Sequence, residues 1–237
     1  MSGAMARPRI RSASVDRSIN FDGEARPVVR LSVQERRHAA VVSALRVIAA
    51  DGVEAATTRR IADEAGVAQS SLFYAFDSRD DLLEAVVEYG IAQELAAMGR
   101  WLHDLAEIDK TTDVDASVLI RTALGAYVES LVADPDREHA LVALALYARR
   151  TPGLELLSAR LYAGYDDVVI RLLDELTRIT GRRWSVPGER LAPITVALTD
   201  GITLAHLNTR DSARVEAILD GAVDLLTGYL AGTDEQH

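Results

Sequence analysis

Residues 57–86 read TTRRIADEAGVAQSSLFYAFDSRDDLLEAV. The segment places a Thr pair ahead of an eight-residue apolar-periodic run, then an Ala-Gly-Val turn, then AQSS, then a packet of Leu72, Phe73, Tyr74 and Phe76. Thr57 or Thr58 can cap a short helix over RRIADEAG, and Gly66 is placed to take the left-handed conformation that ends it. A third helix begins near Gln69, and a fourth opens near Ser78. Ile61, Ala62, Ala65, Val67, Leu72 and Phe76 can pack the inner faces of the two short helices. Ala62 and Ala65 are small enough to let them approach closely. Such a pair is too small to bury its own core, so it must lean on its neighbours and leave one face outward.

Those neighbours are legible on both sides. In SVQERRHAAVVSALRVIAADG, Ser32 can cap a helix whose face is Val41/Val42, Leu45 and Ile48/Ala49, stopped by Gly52. The fourth helix, 79–106, carries Leu83, Val87, Ile91, Leu95, Met98, Leu102 and Leu105 at spacings of three and four. Further helices are expected around 115–133, 136–149, 154–180, 188–208 and 211–230, with breaks at DPD, RRTPG, TGRRWSVPG and NTRDS. No window alternates as a half-buried strand would. The sequence predicts an all-α fold: a flexible, Arg- and Ser-rich tail over 1–31, a three-helix helix-turn-helix domain over 32–78, and a larger helical domain over 79–237.

The outward face of the third helix holds Ala68, Gln69, Ser70, Ser71 and Tyr74, which are short, polar or hydrogen-bonding. That is how a second helix enters a DNA major groove, its first residues nearest the base edges. Gln69 is suited to a paired contact with adenine, and Ser70 and Ser71 to bases or phosphates. Thr57, Thr58 and the amides that follow make an anion-favouring helix start. Arg36, Arg37, Arg59, Arg60 and Arg79 offer positive charge around it, and Tyr74 offers a hydroxyl. The same pattern also describes an ordinary helical hairpin with a solvated polar face.

Residues 36–88 resemble the DNA-binding region of the tetracycline-repressor (TetR) family of transcriptional regulators. The family pattern has a Thr before Ile-Ala, then Ala-Gly-Val, a Leu-Tyr-x-x-Phe packet, and a basic residue before a Leu-rich fourth helix. It is met at Thr57, Ile61, Ala62, Ala65, Gly66, Val67, Leu72, Phe76, Leu82 and Leu83. Three positions depart from it: Ser70 stands where Gly is common, Phe73 where the family has Tyr, and Arg79 where it has Lys. The resemblance implies a repressor that binds a near-palindromic operator as a homodimer and is released by a small-molecule effector, without a cofactor. It also implies a divergent ligand-binding domain whose last two helices pair the subunits.

On that basis Leu198, Ile202, Ala205, Val215, Ile218, Leu219, Ala222 and Leu226 are the expected dimer face, although the same stripes can complete an intramolecular core. Trp101, Tyr127, Tyr147, Tyr162 and Tyr165 are spread through helices otherwise rich in Leu, Val and Ala. Large rings with polar tips suit a mainly apolar ligand chamber.

Composition limits the alternatives. The net charge of −10 is uneven: +2 over 1–29, −3 over 30–90 and −9 over 91–237. Local charge beside phosphate decides DNA affinity, so an acidic total is no obstacle. The chain has no cysteine, which excludes disulfides and thiolate metal sites. It has no uninterrupted apolar run of bilayer length, and its first 30 residues lack a signal-peptide core, so a cytoplasmic location is expected. Arg7, Arg9 and Arg11 could place a basic arm in a minor groove. The five histidines lack metal-ligand spacing, and there is no phosphate loop or nucleophile elbow. A helical enzyme and a helical binding protein without DNA affinity remain the competing readings.

Overall fold

The computed structural model describes residues 15–16, 28–29, 32–106 and 115–231. A two-residue antiparallel ladder, β1 (Val15–Asp16) with β2 (Val28–Val29), precedes nine helices among the described residues. They are α1 (Val33–Asp51), α2 (Thr58–Ala65), α3 (Gln69–Phe73), α4 (Arg79–Ala106), α5 (Ala116–Ala133), α6 (Pro135–Ala148), α7 (Glu155–Thr180), α8 (Gly188–Thr209) and α9 (Ser212–Thr227). Arg7, Arg9 and Arg11 lie outside the described residues, as do the side chains of Met98, Leu102 and Leu105.

Local chemistry sets the boundaries. Ser32 and Glu35 form a reciprocal capping box at the start of α1. Thr57 Oγ1 accepts from the Arg60 amide at 3.2 Å and starts α2. Gly66, at φ 65° and ψ 30°, ends it in the left-handed region. Ser78 Oγ accepts from the Asp81 amide while Asp81 accepts from the Asp77 amide, both at 3.0 Å, which fixes the entry to α4. Asp80 and Asp81 in the first turn of α4 complement its dipole.

The three N-terminal helices do not own a separate core. Ile48, Ile61, Leu72, Phe76, Leu82 and Leu83 belong to a buried cluster that continues into Leu141, Leu144 and Ala148 of α6 and Leu157 and Leu161 of α7. Each large aliphatic side chain so buried contributes about 1.5–3 kcal/mol. α4 is held close to its neighbours: a Cβ on Gly90 would fall 2.9 Å from the Leu141 side chain, and one on Gly164 of α7 would fall 2.5 Å from Ile91. A second cluster joins α5, α8 and α9 through Leu119, Leu124, Ile202, Leu219 and Leu226, and a third joins α7 to α8.

α5 is long and apolar enough to cross a membrane by length and composition alone. Here it packs on α9, and its Arg121 pairs with Glu216 and Asp220 of that helix.

Candidate functional site

The first candidate site is the outward face of α2 and α3. Ala68 forms the start of α3 without a side-chain cap, and the Ser71 amide donates to the Ala68 carbonyl at 2.8 Å. Gln69 and Ser70 are exposed, and Ser71 is partly so. Gln69 Nε2 donates to Thr58 Oγ1 at 3.1 Å, which ties the third helix to the start of the second. Phe73 and Tyr74 protrude, 60% and 80% exposed, while Leu72, Ala75 and Phe76 turn inward. The face therefore unites Thr57, Thr58, Gln69, Ser70, Ser71 and Tyr74 with the exposed Arg59. Phe73, which stands where the resembling family has Tyr, is exposed on the outside of α3 as well.

Three of the expected cations have partners within the chain. Arg37 donates to the Ala75 carbonyl at 2.5 Å and lies 4.2 Å from the Phe76 ring centroid, with Asp81 at 3.7 Å. Arg60 bridges Asp51 and Glu64 at 2.9 and 3.0 Å, and hydrogen bonds to these two carboxylates hold its pKa above the ordinary value. Arg79 donates from Nε to the Ala56 carbonyl and from Nη2 to the Val53 carbonyl, at 2.9 and 2.6 Å. All three guanidinium groups close the α1–α2–α3–α4 unit on itself. Arg36, in the first turn of α1, is partly exposed.

The second candidate site is a cavity of about 150 Å³ lined by α5, α6, α7, α8 and α9 and open on the side of Tyr162, which is 40% exposed. Its walls are mostly Leu, Val and Ala, with Tyr127, Tyr162, Tyr165 and Trp184 among them. Tyr162 and Tyr165 meet edge to face, their centroids 6.0 Å apart at 65°. Tyr127 shares a hydrogen bond of 2.5 Å with Thr203, and Trp184 Nε1 donates to the Leu173 carbonyl at 3.1 Å.

Two carboxylates reach this cavity. Glu138, buried, accepts from Nε and Nη2 of the adjacent buried Arg137 at 3.0 and 2.7 Å. Asp200 accepts from the Tyr162 hydroxyl at 2.9 Å. Burial raises the Asp200 pKa, partly offset by that hydrogen bond. Burial first, and the Asp200 carboxylate second, push the Tyr162 hydroxyl up to about 12.

Of the expected chamber residues, Tyr127, Tyr162 and Tyr165 line the cavity. Tyr147 does not: it packs on the first core cluster beneath the Arg79 guanidinium. The Trp101 side chain lies outside the described residues. Sequence reading missed Trp184, which lies in the break between α7 and α8, and the two acids. Asp200 had a signal, a lone carboxylate in the middle of the apolar run VALTDGITLAHL.

The expected dimer face is also corrected. Ile202, Val215, Leu219, Ala222 and Leu226 are buried within the subunit itself, and Leu226 lines the cavity. Leu198, Ala205 and Ile218 are partly exposed. The outward strip of α8 and α9 instead presents Ala197, Leu204, Ala217, Gly221 and Leu225. Among the described residues no group of His, Asp and Glu side chains is arranged to hold a metal ion.

Residues 41–86 match a family described as bacterial regulatory proteins, tetR family, and residues 115–225 match the tetracyclin repressor-like C-terminal domain. The HTH-type nicotine-responsive transcriptional repressor HdnoR of Paenarthrobacter nicotinovorans is 24% identical over 196 residues, covering 83% of this chain and 96% of that protein. A transcriptional regulator from Rhodococcus sp. Rha1 shares the fold with a TM-score of 0.62 at 18% identity, over 83% of this chain and 98% of that one. The multidrug binding protein EbrR, solved with imidazole, superposes with a TM-score of 0.53 at 24% identity, over 86% of this chain and 99% of that one.

Proposed function

The chain belongs to the tetR family of bacterial regulatory proteins, and from that premise we propose that it is a cytoplasmic repressor that binds DNA as a homodimer and releases it when a small, mainly apolar molecule fills the cavity. The observation that carries this reading is the pairing of an exposed polar face on α3 with a largely apolar cavity through one continuous core. We assign base reading to Gln69, Ser70 and Ser71, and phosphate contacts to Thr57, Thr58, Tyr74, Arg36 and Arg59.

Leu141 supports the link between the two sites. Its side chain lines the cavity and also lies against Gly90 of α4, the helix that leads out of the DNA-binding unit. A ligand that fits only when Leu141 shifts will favour one position of α4, and the coupling equals the difference in its affinity for the two positions.

The two DNA-binding units of a two-fold dimer would engage half-sites about 34–36 Å apart. The outward strip of α8 and α9 suits that dimer. Gly201 and Gly221 sit in mid-helix, and a Cβ on either would meet nothing within 4 Å. Glycine there costs about 1 kcal/mol of helix stability with no return inside the subunit, whereas a second subunit's helix would use the space. The relative HdnoR is a repressor by name, which supports repression over activation.

Selection of genomic fragments on the purified protein, followed by a screen for molecules that release them, tests the proposal. A single enriched inverted repeat is the expected result. Enrichment of no sequence over competitor DNA would overturn it in favour of a binding protein without DNA affinity.

A further inference from the structure

The cavity is chemically one-sided. Among the described residues its ionisable lining side chains are Glu138, Asp200, Tyr127, Tyr162 and Tyr165, with no Lys, Arg or His. The Glu138 charge is met by Arg137 from behind the wall. Among the described residues Asp200 has no such counter-ion: its hydrogen bond comes from the neutral Tyr162 hydroxyl. An ionised carboxylate held in an apolar wall without a counter-ion is costly to the fold. The cost is offset when something positive enters.

The rings around it point the same way. Tyr162 and Tyr165 are adjacent on one turn of α7 and meet edge to face, so their π-faces are turned to different sides of the space near Asp200. Aromatic faces attract a cation more strongly once it is desolvated. Most of the remaining lining, from Ala123 and Leu124 to Val196, is apolar, with Thr195, Thr199 and Thr203 among it. A cavity of this volume takes about one substituted aromatic ring. An anionic ligand would face two carboxylates and no cation.

We propose that the cavity takes a small organic monocation, a protonated amine or quaternary ammonium with an apolar body, with Asp200 as its counter-ion and Tyr162 and Tyr165 flanking the charge. The inference rests on the cavity being the effector site. Neutral apolar molecules of the same shape would bind through the walls alone, and carboxylates would be refused.

Phenyltrimethylammonium and tert-butylbenzene are nearly isosteric and differ in charge, and benzoate supplies the opposite sign. Titration calorimetry on the full chain, with Trp184 emission as a second readout, should give the cation about tenfold or more tighter binding than the hydrocarbon. Asp200→Asn should remove that advantage and leave tert-butylbenzene unchanged. Tyr162→Phe keeps the carboxylate and the ring, so the preference for the cation should persist. If both variants weakened all probes alike, Asp200 would be a structural partner of Tyr162 only, and the inference would fall. Equal or tighter binding of tert-butylbenzene or benzoate would overturn the charge preference and leave the cavity as an effector site. Binding of none of the three would overturn the cavity as an effector site, and the inference with it. Selected operator DNA would still be bound in that case, so the DNA-binding reading is tested separately.

Discussion

The Arg79 guanidinium stands 5.7 Å from the Tyr147 ring centroid while it donates to the Val53 and Ala56 carbonyls. One side chain at the start of α4 thus joins α6 to the turn between α1 and α2, one residue before the Thr57 cap. Phosphate contact was the expectation for this residue, and we read the observed contacts as a latch instead. Because α6 also forms a wall of the cavity, the latch lies between the ligand and the start of the DNA-binding unit.

Arg79→Ala should therefore destabilise the protein by about 2 kcal/mol, the scale for losing charge-assisted hydrogen bonds to two carbonyls. It should weaken operator binding without altering the salt dependence. A lost phosphate contact would reduce the slope of log K against log salt by about 0.9. Binding measured from low to moderate salt separates the two, and a reduced slope with an unchanged melting temperature would restore the phosphate role.

Gln69→Ala should relax base preference at one position per half-site, a loss of about 1–3 kcal/mol in discrimination. Arg59→Ala should lower affinity for all sequences alike and shift the salt slope. Binding to single-base variants of the selected operator checks both. The Gln69 amide must leave Thr58 Oγ1 to reach a base, so Thr58→Val should change the preference less than Gln69→Ala does.

Gly164→Ala should strain the contact between α4 and α7, where the added Cβ would lie 2.5 Å from Ile91 Cδ1. The expected loss is about 1–3 kcal/mol. Ile91→Val removes Cδ1 but leaves Cγ1 at 2.8 Å, so the double variant should recover only part of that loss. Thermal unfolding of the four proteins in the cycle measures it, and strict additivity would mean that the two helices do not touch there.

The helices and their boundaries were legible because their signals are local: Ser32 with Glu35, Thr57, Gly66 and Ser78 each act within four residues. The inward and outward residues of α3 followed from spacing alone. The partners of Arg37 and Arg79 did not, because they lie 38 and more than 20 positions away and depend on how the helices pack. Periodicity also failed on α8 and α9. Both carry apolar residues on more than one face, and only the packed structure separates Ile202 and Leu219, buried inside, from Leu204 and Leu225, turned out. Tyr147 and Tyr165 look alike in sequence, yet one supports Arg79 and the other lines the cavity.

Asp200 sets a pH dependence whose sign follows from its raised pKa. A carboxyl with a higher pKa folded than unfolded contributes stability that is fully present below the unfolded value and is lost as pH rises through the folded value. Asp200→Asn should thus stabilise the ligand-free protein at neutral pH, and the gain should shrink as pH falls through the native pKa. Melting temperatures of both proteins from neutral to acid pH check this. A constant difference would mean that the Asp200 carboxyl does not titrate in the fold.

The outward strip on α8 and α9 gives the last test. Leu204 and Leu225 remain 47% and 45% exposed, and Gly201 and Gly221 leave open space beside them. A paired subunit would bury these side chains, and an Asp at either position would then place a charge in an apolar contact, mirrored by the two-fold axis. Leu204→Asp and Leu225→Asp should yield folded monomers with unchanged helicity and weakened operator binding. Ile202→Asp, which puts the charge into the subunit's own core, should instead lower the melting temperature sharply. Sedimentation with circular dichroism distinguishes the outcomes. If Leu204→Asp and Leu225→Asp both still dimerise at wild-type affinity, the subunits pair through another face.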